Sequence, residues 1–423
     1  MLWALTDALR RQGLHIQPFF STACFSEYRK AAAFSGTCPR HLDAWLMTPE
    51  LSREWFLRGA GPCDLAIVEG EFGQRDAAMP DGSLEPLCEW LELPRLVVLD
   101  ASRSGDSLPN PPEQVDGVLI DCIQSDSQLT RMIVQIETHW EVPVLGALEL
   151  SPSLRAELGS MAMDGRPNKE LRRALGNQFL RSGEPERVVE IASRRPVTWE
   201  HPHLFDEEPF LGNVTIALAY DDALNCYFPN TLDLLELYGA TIVDFSPLRD
   251  ASLPKADIVY LGSGHPEEFA SELAANECMR LALRNHLRQG GRIYAEGGGA
   301  AYLCQQMETE AGAFRMVGIL PAIAHLSKTA QPPSPVAFTT DKPCWMGPAG
   351  TSFGGYLEHR WQLEPAGDLI PCGGESSPPY ALVKSGLAVG SRMQIDFAAQ
   401  PHLMPTFLRC AAGESEAADP WRI

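Results

Sequence analysis

Apolar residues at Leu2, Ala4, Leu5, Ala8 and Leu9 recur at helical spacing as far as Arg11, and Gly13 follows as a stop. The pattern predicts a helix that leads into a strand over LHIQPFF, residues 14–20. Three later runs, CDLAIVEG (63–70), RLVVLDAS (95–102) and DGVLIDC (116–122), are short and nearly continuous in apolar character. That is the signature of parallel strands buried on both faces. Helix-length stretches such as LSREWFLRGAG (51–61) separate the strands, and VPVLGALEL (142–150) adds a last one, so residues 1–150 are expected to form a doubly wound α/β domain.

Residues 151–210 are richer in Arg, Glu and Pro, with helical periodicity around NKELRRALGNQFL (168–180) and ERVVEIASRR (186–195) and then the polar WEHPHLFDEEPF (199–210). They are expected to be a helical connection and linker. A second alternation begins at NVTIALAY (213–220) and passes through NTLDLLELYGA (230–240), TIVDFSP (241–247) and DIVYLGSG (257–264). It reaches RIYAEGGGAAYL (292–303) after a basic helix ending in LRQGG, and residues 211–415 are expected to form the second α/β domain. The Pro-rich stretch 329–343 reads as a surface connection inside that domain.

Composition narrows the function classes. The 34 basic and 55 acidic residues leave a net charge of −21, which argues against nucleic acid or an anionic membrane as partner. No apolar run is long enough to span a bilayer and the N-terminus lacks signal-peptide features, so a cytoplasmic location is expected. Eleven cysteines without a C-x-x-C pair suggest reduced, mostly buried thiols rather than a zinc site or a disulfide framework.

At GRIYAEGGGAAYL a predicted strand ends on a sharp turn and opens a helix, which resembles the nucleophile elbow of class I glutamine amidotransferases. The stretch YFPNTLDLLELYGA through FASELAAN, residues 227–276, is similar to the cobyrinic acid a,c-diamide synthases in order, spacing and residue type. LRRQGLHIQPF, HLDAWLMTPE and CDLAIVEGEFGQRD resemble the same family's ATP-dependent synthetase domain. The resemblance therefore implies two doubly wound α/β domains. The N-terminal one is of phosphate-loop synthetase type, beginning after its first strand and phosphate loop, and the C-terminal one is of class I glutamine amidotransferase type. It also implies glutamine hydrolysis in the second domain, with ATP and magnesium in the first activating two carboxylates of a corrin ring for attack by ammonia.

Position by position, the resemblance marks losses. Gly297 stands where the family writes its cysteine nucleophile, and glycine has no group to attack an amide. Cys304, seven residues further along the expected helix, lies too far along to replace it and is expected to be a core thiol. In SRMQIDF, Gln394 and Asp396 take the two histidine positions of the family's Ser-Tyr-x-His-x-His-Phe, and an amide cannot accept the thiol proton. His359 in FGGYLEHRW matches a family histidine while Tyr356 replaces its neighbour, and a structural histidine is the alternative reading. Gly262, Ser263 and Gly264 match the loop that supplies oxyanion donors, which retained scaffold would equally explain. In FFSTACFSEY, Phe20 replaces a lysine and Cys24 an aspartate, with Glu27 at a second acid position. Asp43 and Glu69 match retained acids of the synthetase half, open to metal contact, substrate contact or structural hydrogen bonding. Glu296 and Tyr302 flank the elbow and match the family without an assigned catalytic role.

These losses fall on three separable functions while core patterning persists. The expectation is a folded, non-catalytic relative that binds a tetrapyrrole-like or corrinoid ligand, or pairs with a synthase-like subunit or a second copy of itself. Two alternatives stand beside it. One is an ATP- and glutamine-dependent amidotransferase completed by a partner chain that supplies ammonia and nucleotide chemistry. The other is a new site built from Cys226, His265 and Glu267.

Overall fold

A computed structural model describes residues 1–21, 25–70, 84–103, 108–161, 167–195, 204–205, 214–329, 331–374 and 377–409, with the backbone alone for 25–29 and 160. Cys24, the side chain of Glu27 and residues 71–76 of VEGEFGQRD lie outside the described residues. The chain divides into two compact units, Met1–Leu204 and Phe205–Ile423.

In the first unit the expected helix is Leu2–Arg11, and the strands Ile16–Phe20, Leu65–Glu69, Leu96–Asp100, Gly117–Ile123 and Val144–Glu149 occupy the apolar runs. They fall into two parallel three-stranded sheets. In one, Ile16–Phe20 lies between Arg40–His41 and Leu65–Glu69; in the other, Gly117–Ile123 lies between Leu96–Asp100 and Val144–Glu149. Edge position explains a departure from the sequence reading: Leu65–Val68 are half-buried and Glu69 is exposed, whereas the central strand Ile16–Phe20 is buried throughout.

Helix starts follow the local chemistry. Thr48 Oγ1 accepts the N–H of Leu51 with Pro49 in the first turn, Ser125 Oγ accepts that of Gln128, and Asn168 Oδ1 accepts that of Leu171 at 2.7 Å. Within residues 151–210, the helices Lys169–Ser182 and Pro185–Arg194 present Leu171, Leu175, Phe179, Val188 and Ile191 to the same core as Ala4, Leu5, Ala8 and Leu9. These two helices are thus part of the first unit's packed interior. Their apolar residues, three and four apart, make a face that needs a partner.

The second unit is built on a seven-stranded sheet in the order Ile370–Pro371, Leu382–Ser385, Ala388–Ser391, Arg292–Glu296, Ile258–Leu261, Thr215–Ala219, Thr241–Phe245. The last five run parallel and the first two pair antiparallel at one edge. The central strand Arg292–Glu296 is buried from Ile293 onward, and the helix Gly297–Leu303 follows it without an intervening loop. Leu303 ends that helix, and Cys304 opens a new strand, Cys304–Thr309, instead of extending a second helical turn. The sulfur of Cys304 donates to the Ala300 carbonyl at 3.3 Å inside the core. A further three-stranded sheet, Ser334–Thr339, Ser352–Leu357 and Met393–Ile395, sets Tyr356 opposite Gln394.

Candidate functional site: the strand-to-helix elbow of the second unit

The direct junction of strand and helix turns the chain sharply at residue 297, whose φ of +45° lies in the left-handed region that glycine adopts without strain. The loop after Ile258–Leu261 packs onto this turn, and the N–H of Gly299 donates to the Gly262 carbonyl at 3.1 Å. A Cβ on residue 299 would stand within 2.6 Å of the carbonyl oxygens of Leu261 and Gly262, so this approach requires glycine.

At Gly297 the surroundings are chemical. A Cβ built there would lie closer than 3.0 Å to both Glu358 Oε2 and Ser263 Oγ. Ser263 Oγ donates to Glu358 Oε2 at 2.7 Å and accepts the N–H of Gly298 at 3.3 Å. Gln394, buried in the facing strand, donates from its side chain to Glu358 as well. Burial raises the Glu358 carboxyl above the ordinary range, opposed by Ser263, by nearby His265 and by Gln394. The space beside the elbow therefore contains a hydrogen-bonded carboxyl group from this chain.

The sequence reading placed Gly262, Ser263, Gly264, Gly297 and Gln394 around one site, and the fold brings them together. The N–H of Gly262 is engaged by the Tyr227 hydroxyl at 2.9 Å, and a Cβ on Gly264 would meet the Ala223 backbone. His359 hydrogen-bonds through Nε2 to Ser334 Oγ at 2.8 Å, and burial lowers its pKa from the ordinary histidine value. Asp396 caps the short helix Phe397–Ala399, accepting the N–H groups of Ala398 and Ala399. Tyr302 is fully buried.

Two features escaped the sequence reading. Glu358 was one: its signal is an acid directly after the buried strand Ser352–Leu357, inside a motif otherwise read through its histidine. The other is the environment of Glu296, which is 1% exposed. Its carboxyl accepts Tyr260 Oη at 2.9 Å, Tyr294 Oη at 2.6 Å and the N–H of Ile395 at 2.9 Å, and burial pushes it up to about 7 despite those donors.

His265 and Glu267, of the proposed new constellation, are close, with Nδ1 3.4 Å from Oε1. Together with Glu268 they could place three ligand atoms within 4.8 Å of one another, but the Arg360 guanidinium already pairs with Glu267. Cys226 is bridged to Ser263 through the backbone and its thiol donates to Asn225 Oδ1 at 3.5 Å.

Asp43 and Glu69 belong to the first unit. Asp43 is fully buried, and its Oδ1 accepts the N–H groups of Trp45 and Leu46 at 2.7 and 3.2 Å while Oδ2 lies 3.3 Å from His41 Nε2. Glu69 is exposed at the end of its strand, in register with Phe20. Phe20, at the position of the family lysine, is buried.

Residues 215–356, which span the elbow and its supporting loop, match the CobB/CobQ-like glutamine amidotransferase domain. The cobyrinate a,c-diamide synthase of Methanosarcina acetivorans is 30% identical over 403 residues, covering 85% of this chain and 80% of that protein. That of Listeria monocytogenes serotype 4b is 28% identical over 340 residues, covering 76% and 75%. Among solved structures, a glutamine amidotransferase superposes with a TM-score of 0.34 at 14% identity, covering 46% of this chain and 98% of that one. PurLQS from Thermotoga maritima gives 0.35 at 13%, covering 44% and 88%. With identity at this level sustained along both units, the chain belongs to the cobyrinate a,c-diamide synthase family.

Proposed function

We propose that this chain is a non-catalytic member of its family, retained to bind a tetrapyrrole-like or corrinoid ligand or to serve as a partner subunit of a synthase-like protein. The observation that carries the reading is Glu358 at the elbow. A cysteine at residue 297 needs a Cβ where Glu358 Oε2 and Ser263 Oγ stand too close, so the site lacks the nucleophile and the room for it. Gln394 replaces the base, and an uncharged amide cannot take a thiol proton at neutral pH. The Gly262 and Gly298 N–H groups, in the region the family resemblance assigns to oxyanion binding, are engaged by Tyr227 and Ser263.

ATP and magnesium fit the described residues of the first unit poorly. Phe20 offers no charge to a phosphate, and the Asp43 carboxylate is engaged by two backbone donors and His41. The reading therefore derives no step through a nucleotide.

Assays of the purified chain for glutaminase and for ATPase test this directly, and turnover of either above a no-protein control would refute it. A thermal-shift series with a corrinoid, a sirohydrochlorin-like ring, ATP and glutamine then separates the two roles. A shift with a ring compound supports ligand binding, and no shift with any of the four supports partner binding.

A further inference from the structure

Cys344 and Cys372 come from segments that the second unit clamps together. The N–H groups of Asp341 and Lys342 donate to the Cys372 carbonyl at 2.9 and 3.4 Å, and the Cys372 N–H donates to Leu382. Cys344 itself closes a tight turn, exchanging two 3.0 Å backbone hydrogen bonds with Gly347. Between these segments the Cys372 thiol donates a hydrogen bond to the Cys344 sulfur.

The two sulfurs are not equivalent. Cys344 also accepts from the backbone N–H groups of Met346 and Gly347, and the Lys384 ammonium, which donates to the Pro343 carbonyl at 2.7 Å, lies close enough to favour an anion. Its thiol is held below the ordinary value, whereas Cys372 is driven up, first by the hydrogen bond it donates and then by burial. Cys344 is 5% exposed and Cys372 not at all. Elsewhere burial alone dominates: Cys88 is pushed up to about 11. Low proton affinity, a cationic neighbour and an adjacent second thiol are the features that separate a redox-active cysteine from an inert core one.

We propose that Cys344 and Cys372 form a peroxide-responsive thiol pair, with Cys344 attacking and Cys372 resolving, that closes to an intramolecular disulfide. The Cys344 thiolate attacks one oxygen of hydrogen peroxide, the O–O bond breaks, and the departing hydroxide takes a proton to become water. Cys372 then attacks the sulfenic sulfur, the S–O bond breaks, and the second hydroxide leaves with the Cys372 proton. Two thiols are oxidised and one peroxide is reduced to two waters.

The test treats the reduced full chain with hydrogen peroxide under native conditions, alkylates the remaining thiols and maps peptides by mass spectrometry. Exposed Cys38 and Cys278 serve as internal controls. The expected result is a Cys344–Cys372 linked peptide, lighter by two hydrogens, forming about tenfold faster than oxidation at either control, as thiolate character dictates. Cys372→Ser replaces it with a Cys344 sulfenic acid captured by dimedone, and Cys344→Ser leaves Cys372 reduced. Oxidation of Cys38 and Cys278 while the pair remains alkylatable, or linkage only after unfolding in urea, overturns the proposal.

Discussion

Replacing Glu296 with Gln should flatten the pH dependence of the second unit's stability. The carboxyl has an ordinary value of 4.5 and is pushed up to about 7 by burial, with the Tyr294 and Tyr260 hydroxyls and the Ile395 N–H pulling the other way. Below pH 4.5 it is protonated in both the folded and unfolded chain. Between 4.5 and about 7 the unfolded chain releases a proton that the folded chain retains, so stability falls as pH rises. Above that interval both forms are ionised and the slope vanishes. At about 1.4 kcal/mol per pH unit, the interval corresponds to a loss on the order of 3 kcal/mol. Gln keeps the volume and the oxygen that accepts from Tyr294 and Ile395, while the Tyr260 hydroxyl can turn to accept from the new amide. Urea unfolding at about pH 5 and pH 8, with the transition of the second unit followed by peptide-level hydrogen exchange over 292–303, measures the difference. Other titrating groups cancel between wild type and variant. Parallel profiles in the two proteins would refute the raised carboxyl and the account of its burial.

Gly297→Cys alone should cost on the order of 1–3 kcal/mol, from a side chain in the left-handed region and a displaced Glu358; Glu358→Ala in the same chain should recover part of it, and equal melting temperatures for the single and double variants would show that Glu358 does not fill that space. Restoring glutaminase should require Cys at 297, His at 394 and a small residue at 358 together, read as glutamate release, because the groups act as a unit. In the first unit, Phe179→Ala should destabilise by roughly 3–5 kcal/mol in a denaturant titration if its helix is core, and a cost under about 1 kcal/mol would mean that it only lies on the surface. Ser125→Ala should cost about 1 kcal/mol through loss of the cap on Asp126–His139, with unchanged stability as the contrary result.

Much was legible in the sequence because it depends on local spacing. The helix Leu2–Arg11, the strands Ile16–Phe20 and Gly117–Ile123, and the elbow at Gly297 follow from apolar periodicity and from glycines at a strand end. The family, too, was carried by linear motifs, including 227–276 and GRIYAEGGG, and similarity along both units bears it out. Net charge and the absent cysteine needed only counting and reading. Among the described residues no helix is long and apolar enough to cross a membrane, as the hydropathy pattern predicted.

What only the tertiary structure decided concerns residues far apart in the chain. Glu358 reads as an ordinary polar residue until Ser263, ninety-five positions away, and the elbow close around it. Cys344 and Cys372 show no motif because their contact comes through two separate turns joined by cross-chain backbone hydrogen bonds. The helices within 151–210 looked like a connection because polarity along a segment does not reveal which core its apolar face meets. Local pattern sets each element's form through nearest-neighbour sterics and hydrogen bonding. Which side chain fills the space at residue 297 depends on burial and proximity, which exist only once the strands have assembled.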